Sequence, residues 1–331
     1  MKNVKSILGM LFLGAILFTS CNRNDDGDFE NIITPPSTEE FSAIKDIALE
    51  GITQNFSFDV STGTGMFTTD NGVLLSINGA CLTNDGTAVT GVVDIEYVEI
   101  FDKGNMLTTN KTTMGLLPDG KKALLISGGE FYVNATQNGE QLETSCGVNV
   151  QIPTSLTGGE DYDMTLWNGI IDPETGDLAW DEEIDADGNG RKLEVGENNG
   201  GTIYYAQFGE FGWSNVDKFY NDQRPKTTIL AAAPNGYTNE NSAVYLSYDG
   251  ELPALAKLDT FDENTNLFSE HYGQIPIGLE CHVIFVTEEN GDWRYAIKSV
   301  TIVANDIITF TQGETAVVTE AQLKAIMSTL P

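Results

Sequence analysis

Asp185, Asp187 and Asn189 offer side-chain oxygens at alternate positions, and Gly188 and Gly190 let the chain wrap between them. That is the ligand type and spacing that calcium requires. Asp181, Glu182 and Glu183 precede the loop and Glu194 follows it. A full EF-hand needs a carboxylate six residues after Gly190, where this chain has Gly196. The candidate cofactor is therefore calcium in a looser loop, with Asp185, Asp187, Asn189 and Glu194 as ligands. Asp, Asn and Gly also cluster in ordinary exposed turns, and that reading stays open beside it.

Other chemistry has thin support. His271 and His282 are the only histidines, and neither belongs to an HExxH helix. Cys281 neighbours His282, but adjacent strand residues point to opposite faces, so a zinc site would need distant partners. Ser127-Gly128-Gly129 lacks the full G-x-S-x-G pattern, and there is no phosphate loop. With 49 acidic residues some carboxylate pair always stands at a glycosidase separation, so such a pair carries no information. Trp167, Trp180, Trp213 and Trp293, with Tyr204 and Tyr205, could stack on sugars; they also suit sandwich cores and a seam between domains. No catalytic residue can be assigned.

The elements that must carry these residues begin with a leader. Lys2 and Lys5 precede an uncharged run from Ile7 to Phe18, then Thr19, Ser20 and Cys21. Charge, oily run and small residues in that order read as a secretory signal over 1–20. The run is about 12 residues, against the roughly 20 a membrane-crossing helix needs. Leu17-Phe18-Thr19-Ser20-Cys21 looks like a bacterial lipobox, in which the Cys21 thiol is acylated and becomes the mature N-terminus. Several acyl chains hold a protein on a membrane far better than one does. The bland alternative is an ordinary signal with a chance cysteine. Asn22-Arg23-Asn24-Asp25-Asp26-Gly27-Asp28 then resembles the acidic export signal of outer-membrane surface lipoproteins, or is a solvated tether; Pro35-Pro36 favours an extended chain, and a tether is expected over 21–50.

Removing the leader leaves 311 of 331 residues, long enough for two domains. Without Lys2 and Lys5, 15 basic residues face 49 acidic ones, a net charge of −34. So negative a field repels nucleic acid and anionic lipid surfaces, and leaves divalent cations and basic partners. Cys81, Cys146 and Cys281 allow at most one internal disulfide; Cys81 with Cys146 is the pairing expected, with buried free thiols as the alternative.

From Thr53 onward the hydrophobic period is two. In GVVDIEYVEIF, Val93, Ile95 and Tyr97 share a face before Val98 and Ile100 take over the apolar phase, a slip that predicts a β-bulge. Asn138-Gly139 and Asn290-Gly291 predict hairpins. Cys146, Val148, Val150 and Ile152 line one face of a return strand, and Pro153 with Gly158-Gly159 closes the first body. Cys281 to Val286 is apolar on both faces and should lie centrally in the second. Thr319 and Gln322 fit a capping box ahead of a helix over 320–330. The expected fold is all-β: two β-sandwich domains, 51–157 and 158–331, with an acidic loop at 172–200 and a short C-terminal helix.

Three stretches carry a family resemblance. FTTDNGVLLSINGACLTNDGTAVTGVVDIEYVEIFDKGNMLTTNKTT with LLISGGEFYVNATQNGEQL, then FGWSNVDKFYND, then EHYGQIPIGLECHVIF, together cover most of residues 60 to 300. They resemble a family of cell-surface lipoproteins of the Bacteroidota whose N-terminal sandwich is distantly similar to ZU5-type domains. The resemblance implies a protein-interaction module rather than a catalyst. It implies a shared patch at Trp213, Asn215 and Asp217; alternatively Trp213 plugs a core while Asn215 and Asp217 bond a turn backbone. Val216 stands where some relatives carry a cysteine, so a disulfide there is not expected.

The leading expectation is a lipoprotein held through Cys21 on the outer membrane, facing outward or toward the periplasm, that binds an outer-membrane or surface protein, or a glycan. The alternatives are a hydrolase acting on polysaccharide or peptide, and a calcium-stiffened adhesin or spacer.

Overall fold

The computed structural model describes residues 34–331 apart from Glu174, Asn199 and His271. The signal over 1–20, the lipidation site Cys21 and the tether as far as Ile33 lie outside the described residues. Pro35–Pro331 forms one compact unit, and it is all-β with three helices. No described helix is long and apolar enough to cross a membrane.

Residues 38–51, expected as tether, are helical. Helix α1 (Thr38–Gly51) starts at a capping box: Ser37 Oγ accepts from the Glu40 N–H at 3.2 Å, and Glu40 Oε2 accepts from the Ser37 N–H at 2.8 Å. Phe41, Ile44 and Ala48 recur at helical spacing and are buried. Pro35-Pro36 sits just ahead of the cap, so the extended pair ends where the helix begins. Replacing Ser37 with Ala should cost about 1 kcal/mol of stability. An unchanged urea midpoint would show that the cap contributes nothing.

In chain order the first body contains β1 (Gln54–Asp59), β2 (Thr64–Thr68), β3 (Leu74–Asn78), β4 (Val92–Ile100), helix α2 (Lys103–Thr109), β5 (Met114–Leu116) and β6 (Lys122–Gln137). Then follow β7 (Val148–Pro153), β8 (Thr165–Ile171), β9 (Leu178–Glu182), β10 (Glu194–Asn198), β11 (Gly201–Phe208) and β12 (Gly212–Phe219). One sheet has the order β1-β4-β6-β12-β8-β9-β5, and because β5 pairs with β6 as well as β9, five strands close into a ring. Leu125, Trp167, Leu178 and Trp180 cluster as a separate small core on these strands. The facing sheet is β10-β11-β7-β3-β2. Its Leu75, Val150 and Phe208 meet Ile95, Phe131 and Val216 of the first sheet in a shared core, as a sandwich requires.

Strands from 165 to 219 thus join the sheets of the first body, and the boundary expected at 157/158 falls within it. Gly158 and Gly159, with φ of 93° and 124°, turn the chain after a short 3-10 segment over Thr154–Thr157 and so mark a turn, not a linker.

The second body holds β13 (Leu230–Ala232), β14 (Ser242–Tyr248), β15 (Ala256–Lys257), β16 (Thr260–Asp262), β17 (Leu267–Ser269), β18 (Glu280–Glu289), β19 (Asp292–Thr301), β20 (Ile307–Thr309), β21 (Ala316–Val318) and helix α3 (Glu320–Met327). Sheet β15-β14-β18-β19-β21 and sheet β16-β17-β13-β20 share a core of Val244, Phe268, Val283, Phe285 and Phe310. β18 is central and buried on both faces, as its double-sided apolar run requires. The three helices contribute Phe41, Ile44, Met106, Leu107, Leu323 and Met327 to one cluster that also takes Val98 and Ile100 from the first body and Tyr245 and Ile284 from the second. That cluster explains the phase change in β4. Its register against β1 and β6 is unbroken, so the bulge expected there is absent; from Val98 onward the strand is buried on both faces.

Both predicted Asn-Gly turns close hairpins. Asn138 and Gly139 have φ of 53° and 85° between Gln137 and Glu140, and Asn290 and Gly291 have 54° and 85° between Glu289 and Asp292. After the first hairpin, Val148–Pro153 pairs in the opposite sheet.

Candidate functional site

A register shift interrupts β6 and β12 between Asn215 and Asp217. Opposite Val216 lie Gly128 and Gly129, and Gly129 has φ of 128°; a Cβ there would strike Phe101 and Phe131. This bulge is what Ser127-Gly128-Gly129 builds. It places Ser127, Glu130, Asn215 and Asp217 together, all four completely buried.

Ser127 Oγ donates to Asn215 Oδ1 at 3.2 Å and accepts the Gly129 N–H at 3.0 Å. Asn215 Oδ1 also accepts the Val216 N–H at 2.8 Å, and Asn215 Nδ2 donates to Asp217 Oδ2 at 2.5 Å. Neither carboxyl oxygen of Glu130 has a hydrogen-bond partner among the described residues. Burial pushes the Glu130 carboxyl up to about 8, against the pull of Lys111 and with a smaller push from Asp102. Burial also raises Asp217 far above the usual carboxylate range, and Glu130 adds to it. At neutral pH Glu130 is therefore held protonated beside Asp217.

The residues of the expected patch share β12. Trp213 is half-buried, with its ring 5.3 Å from Tyr132, and Lys111 Nζ lies 5.3 Å from its ring centroid. Asn215 and Asp217 are sealed from solvent in an internal polar network, while Trp213 packs on Tyr132 outside it, so the three do not share one open face. No sugar or peptide bond can reach the Glu130–Asp217 pair. Trp167, Trp180 and Trp293 are fully buried, Trp167 Nε1 donating to the Asp217 carbonyl at 3.0 Å. Tyr204 is buried and Tyr205 half-buried in β11.

The acidic loop expected over 172–200 contains strands β9 and β10, and only the stretch around Asp185 to Asn189 between them is a turn. Asp185 Oδ1 accepts the N–H groups of Asp187 at 2.9 Å and Asn189 at 3.0 Å, so its carboxylate serves its own backbone. Glu194 stands apart on β10, paired across to Tyr205. Among the described residues no group of three or more His, Cys, Asp or Glu stands close enough to hold a metal ion; the calcium set of Asp185, Asp187, Asn189 and Glu194 is not assembled.

Cys81 is bonded to Cys146, with Cα atoms 5.8 Å apart, and Cys281 is a buried thiol that burial pushes up to about 12. His282 Nδ1 lies 2.8 Å from Asp249 Oδ1.

Sequence reading missed the groove where the two bodies meet α3. It is a cavity of about 560 Å³ whose apolar wall is Phe101, Ile126, Leu156, Leu252, Pro253 and Met327, with Asp102 and Glu251 also lining it. Leu252 is 61 % exposed there. These residues lie far apart in sequence, and only the hydrophobic Leu252 after Asp249-Gly250-Glu251 could have signalled an exposed anchor. Lys103 Nζ, in the same wall, donates to Ser247 Oγ at 2.7 Å and to the Pro331 carbonyl at 3.1 Å. The distance suits a nucleophile and its base. Ser247 is completely buried and does not line the groove, so the pair acts as a strut between α2, β14 and the chain's last residue. No family model matches the chain, and no curated protein matches it.

Proposed function

We propose that the protein is a lipid-anchored outer-membrane lipoprotein, displayed at the cell surface, that works as a binding module for another surface or outer-membrane protein. The observation that carries this reading is the groove between the two bodies: an apolar recess on a chain of net charge −32, with the largely exposed Leu252 at its edge. An exposed apolar recess with a polar rim is the signature of an interaction site. The acidic residues Asp102 and Glu251 favour a partner segment that inserts an apolar side chain next to a basic one. The lipobox ending at Cys21 and the acidic stretch behind it supply the anchor and stalk of this reading, and the resemblance to Bacteroidota surface lipoproteins with a ZU5-like domain agrees with an interaction role.

The test is a photo-crosslinking residue placed at Leu252 in intact cells, with the same probe at exposed Val303 as control. A single protein captured at 252 and not at 303, with capture weakened by Leu156→Asp and by added salt, is the expected result. Equal labelling at both positions would refute the groove as the docking site, and exclusive capture of carbohydrate would shift the reading to a glycan binder. Loss of metabolic palmitate labelling in Cys21→Ser tests the anchor separately.

A further inference from the structure

A second recess, of about 350 Å³, opens between α1, the Thr175–Asp177 segment, residues 239–243 and the β15 region. Its charges are arranged in an uneven way. Lys257 Nζ donates to Asp177 Oδ1 at 2.5 Å, and the same oxygen accepts from Asn110 Nδ2 at 2.9 Å. Asp259 also lines the recess, and Lys122 Nζ lies 2.7 Å from its carboxylate. Lys45 projects from α1 into the recess with no carboxylate at ion-pair distance among the described residues. Its ammonium sits over the Phe41 ring, 4.3 Å from the centroid.

Lys45, Lys257 and Lys111 are electrostatic neighbours, and Asp177 is the buried carboxylate that acts on both Lys45 and Lys111; Asp46 adds a charge from the exposed side of α1. Glu130, the other acid near Lys111, is protonated at neutral pH and gives no compensating charge. A chain with 49 acidic residues has thus gathered four amines, those of Lys45, Lys111, Lys122 and Lys257, around two largely buried carboxylates, Asp177 and Asp259, where mutual repulsion and lost hydration both act against it. Burial and the neighbouring lysine lower Lys45 to about 8, the physical sign of an ammonium short of a counterion.

We propose that this recess is a binding site for a small oxyanion, a carboxylate-, sulfate- or phosphate-bearing molecule whose charged group is taken by Lys45. Thr38, Ser42 and Thr175 hydroxyls and the Asn239 amide line the same recess and supply neutral hydrogen bonds, while Glu240 at its edge accepts from ligand hydroxyls and turns away more highly charged anions. The site is separate from the groove beside Leu252 and does not depend on the docking reading.

The experiment is calorimetric titration of the full chain with inorganic sulfate, inorganic phosphate and glucuronate. Saturable binding of at least one probe is expected. It should be about tenfold to a hundredfold weaker in Lys45→Met, which removes a charge-assisted hydrogen bond. Lys121→Met, at an exposed lysine paired with Asp119, should bind as the parent does. Should Lys45→Met fail to fold, the parent protein carrying ¹³C-methylated lysines gives the same answer: the Lys45 amine should titrate at higher pH with the anion bound. Absence of saturable binding by all three probes, equal binding by Lys45→Met, or an unmoved Lys45 titration would overturn the assignment.

Discussion

Glu130→Gln should leave stability near that of the parent at pH 4 and raise it increasingly above the parent as pH rises. The Glu130 carboxyl ionises near its ordinary 4.5 when unfolded and near 8 when folded. Between those values the folded chain holds a proton that the unfolded chain has released, so the parent loses stability with rising pH. The loss is about 3 kcal/mol by pH 7 and about 5 kcal/mol once the carboxyl is fully ionised, because each tenfold difference in proton affinity between the folded and unfolded chain is worth about 1.36 kcal/mol. The amide cannot ionise, and that slope should vanish. Urea unfolding of both proteins from pH 4 to 9 provides the comparison. Parallel curves would mean that the carboxyl is hydrated or paired in solution. Asp217 adds loss of the same sign in both proteins, and because the Glu130 charge acts on Asp217 and Lys111, the difference between the curves reports the Glu130 carboxyl together with its coupling to them.

Trp180→Ala should be comparably costly, about 3 to 5 kcal/mol. The side chain is completely buried in the small core of the strand ring, its Nε1 donates to the Thr112 carbonyl at 2.9 Å, and its backbone pairs with Gly115 at the parallel junction that closes the ring. Removing it opens a cavity and orphans a buried carbonyl in one step. Ile170→Ala, on a neighbouring strand and 46 % exposed, should fall within about 0.5 kcal/mol of the parent. If both substitutions cost the same, the ring core would not be the stabilising feature described.

Period-two alternation, the two Asn-Gly turns, the double-sided apolar run of β18 and the Thr319–Gln322 capping box all made the strand-built character and the last helix legible from composition and spacing. Three things were hidden. Ser37 to Ala48 carries a good helical signal, but Pro35-Pro36 drew attention to an extended chain. The phase change at Val98 has two physical causes, a bulge or burial on both faces, and only the helical layer decides for the second. Asn215 and Asp217 stand two apart on one strand, while Ser127, the partner of Asn215, sits 88 positions earlier across a bulge that no local pattern announces. The Lys45 recess is likewise assembled from α1, β15 and the segment before β9, and local reading could not bring these lysines together.

The closed ring also bears on life in a crowded compartment. A strand end in an open sheet offers unpaired amides and carbonyls on which a second chain can polymerise. Here β5 pairs on both sides and leaves no lateral edge to the ring, while the outer strand β10 of the facing sheet carries exposed Glu194 and Glu197. Closure of the ring and like-charge repulsion at β10 guard these two places against edge-to-edge aggregation, while β1 and β2 stay the lateral strands of their sheets.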